Sequence, residues 1–184
     1  MANVYDIADF FIELAQYDDN DTITNMRINK LLYFSQAWYM VRYNTPLFDE
    51  EFEAWDFGPV VPCIYQKYKS KGKNNISKVS DGFSADIFSE NEIMTLLDVA
   101  KYYGQFSTSS LVARTHTKGT PWANVYKKGE NNIINKESIL LYFKHEFPLE
   151  SFSVPKNLYD TAVLGQRTSD GLLLLPKDFD DDDE

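Results

Sequence analysis

Few side chains in this sequence could do chemistry, and they do not come in useful company. The chain has one cysteine, Cys63, and two histidines, His116 and His145. That inventory cannot close an internal disulfide or assemble a Cys/His zinc cluster, so no metal is assigned. Cys63 follows Pro62 in an apolar context, where a buried, inert thiol is expected rather than a nucleophile. His116 stands in Thr115-His116-Thr117-Lys118-Gly119-Thr120-Pro121-Trp122. It could serve as a base in a cleft beside Trp122, given a carboxylate from elsewhere. At a helix end it could instead satisfy the last carbonyls while Trp122 anchors the following loop. No paired base or ligand is visible, so the capping role is the expected one and no catalytic residue is assigned. His145 is expected to face solvent.

Phosphate chemistry fares no better. The eight glycines are dispersed, and neither GxGxxG nor GxxxxGK[ST] occurs. Carboxylates cluster at Asp18, Asp19 and Asp21 and at Asp49, Glu50, Glu51 and Glu53, but without the spacing of a calcium loop, so both read as solvated turns. Lys67, Lys69, Lys71 and Lys73 form the best candidate for a phosphate-contacting face, although alternating lysines in a loop commonly serve solubility. No cofactor is expected.

Composition sets the frame for these residues. With 184 residues, 43% hydrophobic and 15% aromatic, the chain has enough apolar surface to build one real core. The net charge is −10 and the pI is near 4.7, so nucleic-acid binding by the whole molecule is not expected. The charge is uneven: residues 1–62 carry −8, residues 63–147 carry +4 and residues 148–184 carry −6. No apolar run approaches the roughly 18 residues of a membrane span, and the acidic start lacks a basic n-region. A cytoplasmic protein without a membrane partner is the expectation.

The elements that must position these side chains are mainly helical. Residues 3–17 place Val4, Ile7, Ala8, Phe11, Leu14 and Ala15 at helical spacing, with Asn3 as a cap. Thr24 can cap a second helix running to about Tyr43. Its Ile28, Leu31, Leu32, Tyr33, Phe34, Ala37 and Trp38 leave it apolar around much of its girth, which predicts a central helix. Residues 51–57 alternate like a strand that Gly58 and Pro59 stop, and Pro62 opens a short helix to Lys69. An exposed connection follows, with a short strand expected at residues 76–79. Ser89 with Glu92 forms a capping box for a helix ending at Gly104. Ser107 and Asn135 cap two more helices, the second closing before Pro148. The expected fold class is therefore mainly α: a compact helical domain of residues 1–147 with a central helix and a small β-sheet, plus a C-terminal extension of residues 148–184.

Taken together, these residues resemble a known family. Lys30-Leu31-Leu32-Tyr33-Phe34, then Gln36, Trp38 and Tyr39, then Pro46-Leu47-Phe48, Glu53-Ala54-Trp55 and Gly58-Pro59-Val60-Val61-Pro62 with Tyr65, look like the Panacea domain of SocA-like antitoxins, also called GepA-like phage-associated proteins. Thr115-His116, Pro121-Trp122 and Tyr142-Phe143 are similar to that family's second half. The resemblance covers about residues 4–147. It implies a bacterial or prophage domain that neutralises a protein toxin encoded beside it, with different members serving different toxins. One branch acts as an adaptor that delivers its toxin to a protease. No catalytic motif carries over. Trp38, Trp55 and Trp122 supply large buried area, Gly58 permits a turn and Pro59 stiffens it, so these signature residues read as scaffold.

Function is thus expected to be that of an antitoxin with a cognate protein toxin as partner, and with a protease as a further partner if it works as an adaptor. Self-association stays open. Two rivals come from other classes: an enzyme using His116, and a DNA-binding autoregulator using the lysine loop. In the extension, Leu172, Leu173, Leu174, Leu175 and Phe179 beside Asp180, Asp181, Asp182 and Asp183 suit a basic partner. The same leucines could pack back as an edge strand and leave a solubilising acidic tail.

Overall fold

The structure, a computed structural model, describes residues 1–16, 23–77 and 79–146. The expected domain end near residue 147 and the whole extension, including Leu172 to Leu175, Phe179 and Asp180 to Asp183, lie outside the described residues, as does the turn of Asp18, Asp19 and Asp21. Among the described residues no helix is long and apolar enough to cross a membrane.

Helix α1 (Val4–Ala15) starts where Asn3 Oδ1 accepts the N–H of Tyr5 at 2.9 Å and buries Val4, Ile7, Ala8, Phe11 and Ile12 on one face. Helix α2 (Asn25–Tyr43) starts at Thr24, whose hydroxyl accepts from Arg27 N at 3.2 Å, and stops at Asn44, which takes a left-handed φ of 57° that asparagine tolerates. It is the central helix. Of its 19 residues all but Met26, Tyr39, Arg42 and Tyr43 are buried. It packs against α1, α3 (Pro62–Tyr68), α4 (Glu90–Gly104), α5 (Thr108–His116) and α7 (Lys136–Glu146).

The sheet has three antiparallel strands in the order β2-β1-β3: β1 (Phe52–Trp55), β2 (Gly58–Val60) and β3 (Ile133–Ile134). Glu53 faces Val60 and Trp55 faces Gly58 in the hairpin, while Phe52 faces Ile134 on the other side. Gly58 and Pro59 therefore do not end a strand; they begin the next one. Asp56 and Phe57 make the turn with negative φ, and Gly58 takes φ +101°, a conformation open to glycine because it has no Cβ. Pro59 is tolerated because β2 is an edge strand, where a missing N–H interrupts no ladder.

Other boundaries depart from the sequence pattern for local reasons. Residues 76, 77 and 79 form no strand. Instead this segment is tacked to Ile23: Ile76 N donates to Ile23 O at 2.8 Å, and Asn75 Oδ1 accepts from Ile23 N at 2.9 Å. Helix α4 has its capping box, with Glu92 Oε2 accepting from Ser89 N at 2.9 Å. Gly104 is its last residue, without a left-handed turn, because Arg27 from α2 serves the helix end: Nη2 donates to Gly104 O at 2.9 Å and Nη1 to Phe106 O at 2.8 Å. Trp122 sits on a helix, α6 (Pro121–Val125), rather than on a loop, with Thr120 as cap and Pro121 in the first turn. Cys63 is half-buried, not buried.

The core is aromatic. Phe34 stacks on Tyr103 of α4 with centroids 3.9 Å apart, and Tyr33 meets Phe52 of β1 at 5.4 Å and Phe143 of α7 at 5.8 Å, edge to face. Trp38 packs against Tyr102 and Tyr103, donates from Nε1 to Tyr103 Oη at 3.3 Å and carries the Arg42 guanidinium 5.4 Å from its ring. Arg42 in turn pairs with Asp98 of α4 at 2.6 Å. Removing the Trp38 ring in Trp38→Ala leaves a cavity at the α2–α4 seam and is expected to cost about 3–5 kcal/mol in urea denaturation.

Candidate functional site

Signature residues far apart in sequence meet at one place. Lys30 is fully buried, and its Nζ donates to the carbonyl of Pro59 at 2.9 Å. One residue before it, Asn29 Oδ1 accepts from Val61 N at 2.8 Å while its amide donates to Asn25 O at 2.9 Å. Together these two α2 side chains hold the outer edge of β2 at Pro59 and the residue that follows the strand, Val61, whose polar backbone groups would otherwise be unpaired in a dry interior. A Cβ on Gly58 would lie 2.7 Å from Thr115 Oγ1 and 2.8 Å from Lys30 Cε. Glycine is thus required there twice, by space and by backbone angle.

Beside the hairpin, and packed on α2 as well, stands α5, with α6 following it. The His116 ring sits between two backbone carbonyls, Nδ1 2.7 Å from Val112 O and Nε2 3.1 Å from Asp56 O, and packs 3.7 Å from the Trp122 ring. Carbonyls only accept, so each contact is a hydrogen bond when that nitrogen carries a proton. Trp122 Nε1 donates to Trp55 O at 2.9 Å, and Tyr126, stacked on Trp122 at 4.4 Å, donates to Asp56 Oδ1 at 2.9 Å. Thr120 Oγ1 donates to Thr115 O at 2.7 Å, joining α6 to the end of α5.

Lys30, Trp55, Gly58, Pro59, His116, Pro121 and Trp122 therefore form one cluster around the hairpin. The other signature residues are elsewhere. Leu31, Leu32, Tyr33 and Phe34 are buried in the core, Trp38 packs from α2 against Tyr103 of α4, and Gln36 reads a different stretch of backbone. Its Oε1 accepts from Leu47 N at 2.9 Å and Phe48 N at 3.2 Å, and its Nε2 donates to Phe48 O at 3.0 Å. This places Gln36 against the Pro46-Leu47-Phe48 part of the same pattern. All four lysines of the run are exposed, and of them Lys67 reaches buried Asp9 at 3.4 Å and Ser80 at 3.0 Å. His145 is exposed.

The arrangement holds backbone; it does not present reacting groups. Burial without a carboxylate partner pulls the Lys30 amine down to about 7, a value that suits proton transfer, but its relative exposure is 0%, so no substrate reaches it. Among the described residues no group of three His, Cys, Asp or Glu is placed to hold a metal. The sequence reading missed Arg27 and Asn29. The available signal was their polarity: a helix apolar all round that also carries Arg27, Asn29, Lys30 and Gln36 must find each of them a buried partner.

A mainly helical domain whose central helix clamps a short hairpin, with the second clamp at Thr115-His116 and Trp122, defines the class. The family described as Antitoxin SocA-like, Panacea domain, matches residues 28–123, and the chain belongs to it. The chain is similar to Antitoxin SocA of Caulobacter vibrioides (strain NA1000 / CB15N), with 30% identity over 153 residues that cover 76% of this chain and 80% of the relative. No solved structure matches it.

Two measurements test the clamp. Gly58→Ala forces a left-handed backbone and a close contact together and is expected to destabilise by about 2 kcal/mol or more in chemical denaturation. Lys30 also gives stability a pH dependence whose sign is fixed. In the unfolded chain the amine keeps its proton up to its ordinary value of 10.5, whereas in the folded protein it releases it near 7. Between those values the unfolded state binds more protons, so stability rises with pH through this window. Near pH 10 the rise ends, because burial raises Tyr33, Tyr68 and Tyr103 in the folded protein and their ionisation then favours the unfolded chain. Urea midpoints measured from pH 7 to 10 should climb for the natural chain and lose that climb in Lys30→Met.

Proposed function

We propose that this chain is the antitoxin of a bacterial or prophage toxin–antitoxin pair, acting in the cytoplasm and neutralising a cognate protein toxin by direct binding. The observation that carries this reading is its 30% identity to an antitoxin over most of both chains. The geometry supports it in a second way. The signature residues are spent on holding β1, β2 and the loop at Leu47 and Phe48, which leaves recognition to side chains on the surface and lets one scaffold serve different partners. Residues 1–147 supply that scaffold, and the extension of residues 148–184 adds a recognition element through Leu172 to Leu175, Phe179 and Asp180 to Asp183.

The test is genetic and direct. An adjacent reading frame is expected to arrest growth when expressed alone and to be tolerated when this chain is co-expressed. Absence of any toxic neighbour, with no protein co-purifying, would overturn the reading. Deleting residues 172–184 should weaken toxin binding while leaving thermal stability unchanged. For the rival in which His116 is catalytic, His116→Ala decides: the antitoxin reading expects protection to persist while stability falls by about 1 kcal/mol, the size of a typical intramolecular hydrogen bond.

A further inference from the structure

We infer that the outer face of the β1–β2 hairpin is where a basic protein partner docks, with Phe57 as the apolar anchor. This rests on the antitoxin reading and adds where on the chain the toxin is held. The strand alternation sets the face. Phe52 and Ala54 point into the core, so Glu53 and Trp55 point away from it, and Ile133 lies opposite Glu53 on the same side. Ile133 is 60% exposed, and Phe57, at the tip just beyond, is 62% exposed.

Phe57 is exposed on backbone that is not free to move. The residue before it is tied by Tyr126 Oη to Asp56 Oδ1 at 2.9 Å and faces His116 Nε2 through its carbonyl at 3.1 Å. One residue earlier, Trp55 O accepts from Trp122 Nε1 at 2.9 Å. The Trp55 ring is fixed as well, its Nε1 donating to Glu53 Oε2 at 2.7 Å and its centroid lying 4.7 Å from that of Tyr65 in an edge-to-face pair. A partner that covers Phe57 and Trp55 thus gains apolar burial with little ordering cost, the condition under which an aromatic residue becomes a binding hot spot.

Charge selects the occupant. Residues 43–66 contain Asp49, Glu50, Glu51, Glu53 and Asp56 and not one lysine or arginine. On the hairpin itself Glu53 accepts from Trp55 Nε1 at 2.7 Å and Asp56 from Tyr126 Oη at 2.9 Å, neutral donors that cancel no charge, while Lys127, next to Tyr126, is paired with Glu130 at 3.5 Å. A second copy of this chain, with net charge −10, and any nucleic acid would be repelled from such a face. A protein with an apolar socket rimmed by lysine or arginine fits it.

The experiment uses the full chain and the purified product of the neighbouring toxin gene. Phe57→Ser is expected to melt at the same temperature as the natural chain and to bind that product at least about thirty-fold more weakly, with loss of protection in co-expression. Glu53→Gln combined with Asp56→Asn, each of which keeps its acceptor oxygen, should slow association about three-fold or more at low salt, and the difference should vanish near 0.5 M NaCl, where surface charge is screened. If the natural chain protects and Phe57→Ser protects and binds equally well, the inference is overturned while the antitoxin reading stands. It is overturned likewise if Phe57→Ser abolishes self-association and leaves toxin binding intact. Should the natural chain itself fail to protect, the antitoxin reading falls and takes this surface with it.

Discussion

A lysine amine sealed away from water has to find an acceptor, and Lys30 finds one in the carbonyl of Pro59 at 2.9 Å. Much of the architecture follows from that bond. It fixes β2 alongside α2, which in turn demands a residue before Pro59 that has no Cβ and can take a left-handed φ. It brings Thr115 to the same spot and so sets where α5 ends. The amine also carries a cost, because desolvation disfavours its charged form and no carboxylate compensates. Replacing such a group by a hydrocarbon of similar volume often stabilises a protein. Here the amine specifies register: with Asn29 it recognises a particular carbonyl and a particular N–H, whereas an apolar side chain would accept the hairpin in several positions.

Much of this fold was legible in the sequence wherever capping chemistry coincided with hydrophobic spacing. Asn3, Thr24, Ser107 and Asn135 each sit at the start of a helix, and Ser89 with Glu92 closes its box. Errors arose where a tertiary partner replaced the local signal. Gly104 ends its helix as expected, but Arg27 from another helix meets its carbonyl, so the left-handed turn that a terminal glycine suggests is not needed. Gly58-Pro59 looked like punctuation, and only the edge position of β2, with Lys30 and Asn29 beside it, lets proline stand in a strand. The two-residue β3 and the five-residue α6 are too short to show any period at all.

The candidate site was half legible. A pattern running from Lys30 to Trp122 could be read as one signature, yet nothing in the linear order says that its two halves converge on a single hairpin. His116 illustrates the limit. Its place near a helix end foretold the contact with Val112, and its other ring nitrogen reaches Asp56, 60 positions away in sequence, which no local rule anticipates. Phe57 was invisible for a different reason: an aromatic residue next to a turn glycine is ordinarily taken as core, and its exposure depends on how β1 is rotated against α2.

Side chains of α2 also have a bearing on how the molecule breathes. The amide hydrogens of Leu47, Phe48 and Val61 belong to no helix or ladder, and each is held by a carboxamide oxygen of Gln36 or Asn29 inside the core. Freeing any of them requires α2 to part from its neighbours, so these connecting segments open only with the central helix itself. In deuterated water they would retain their protons as long as the helix interior does, and the slowest-exchanging set of the protein would include stretches of chain with no regular secondary structure.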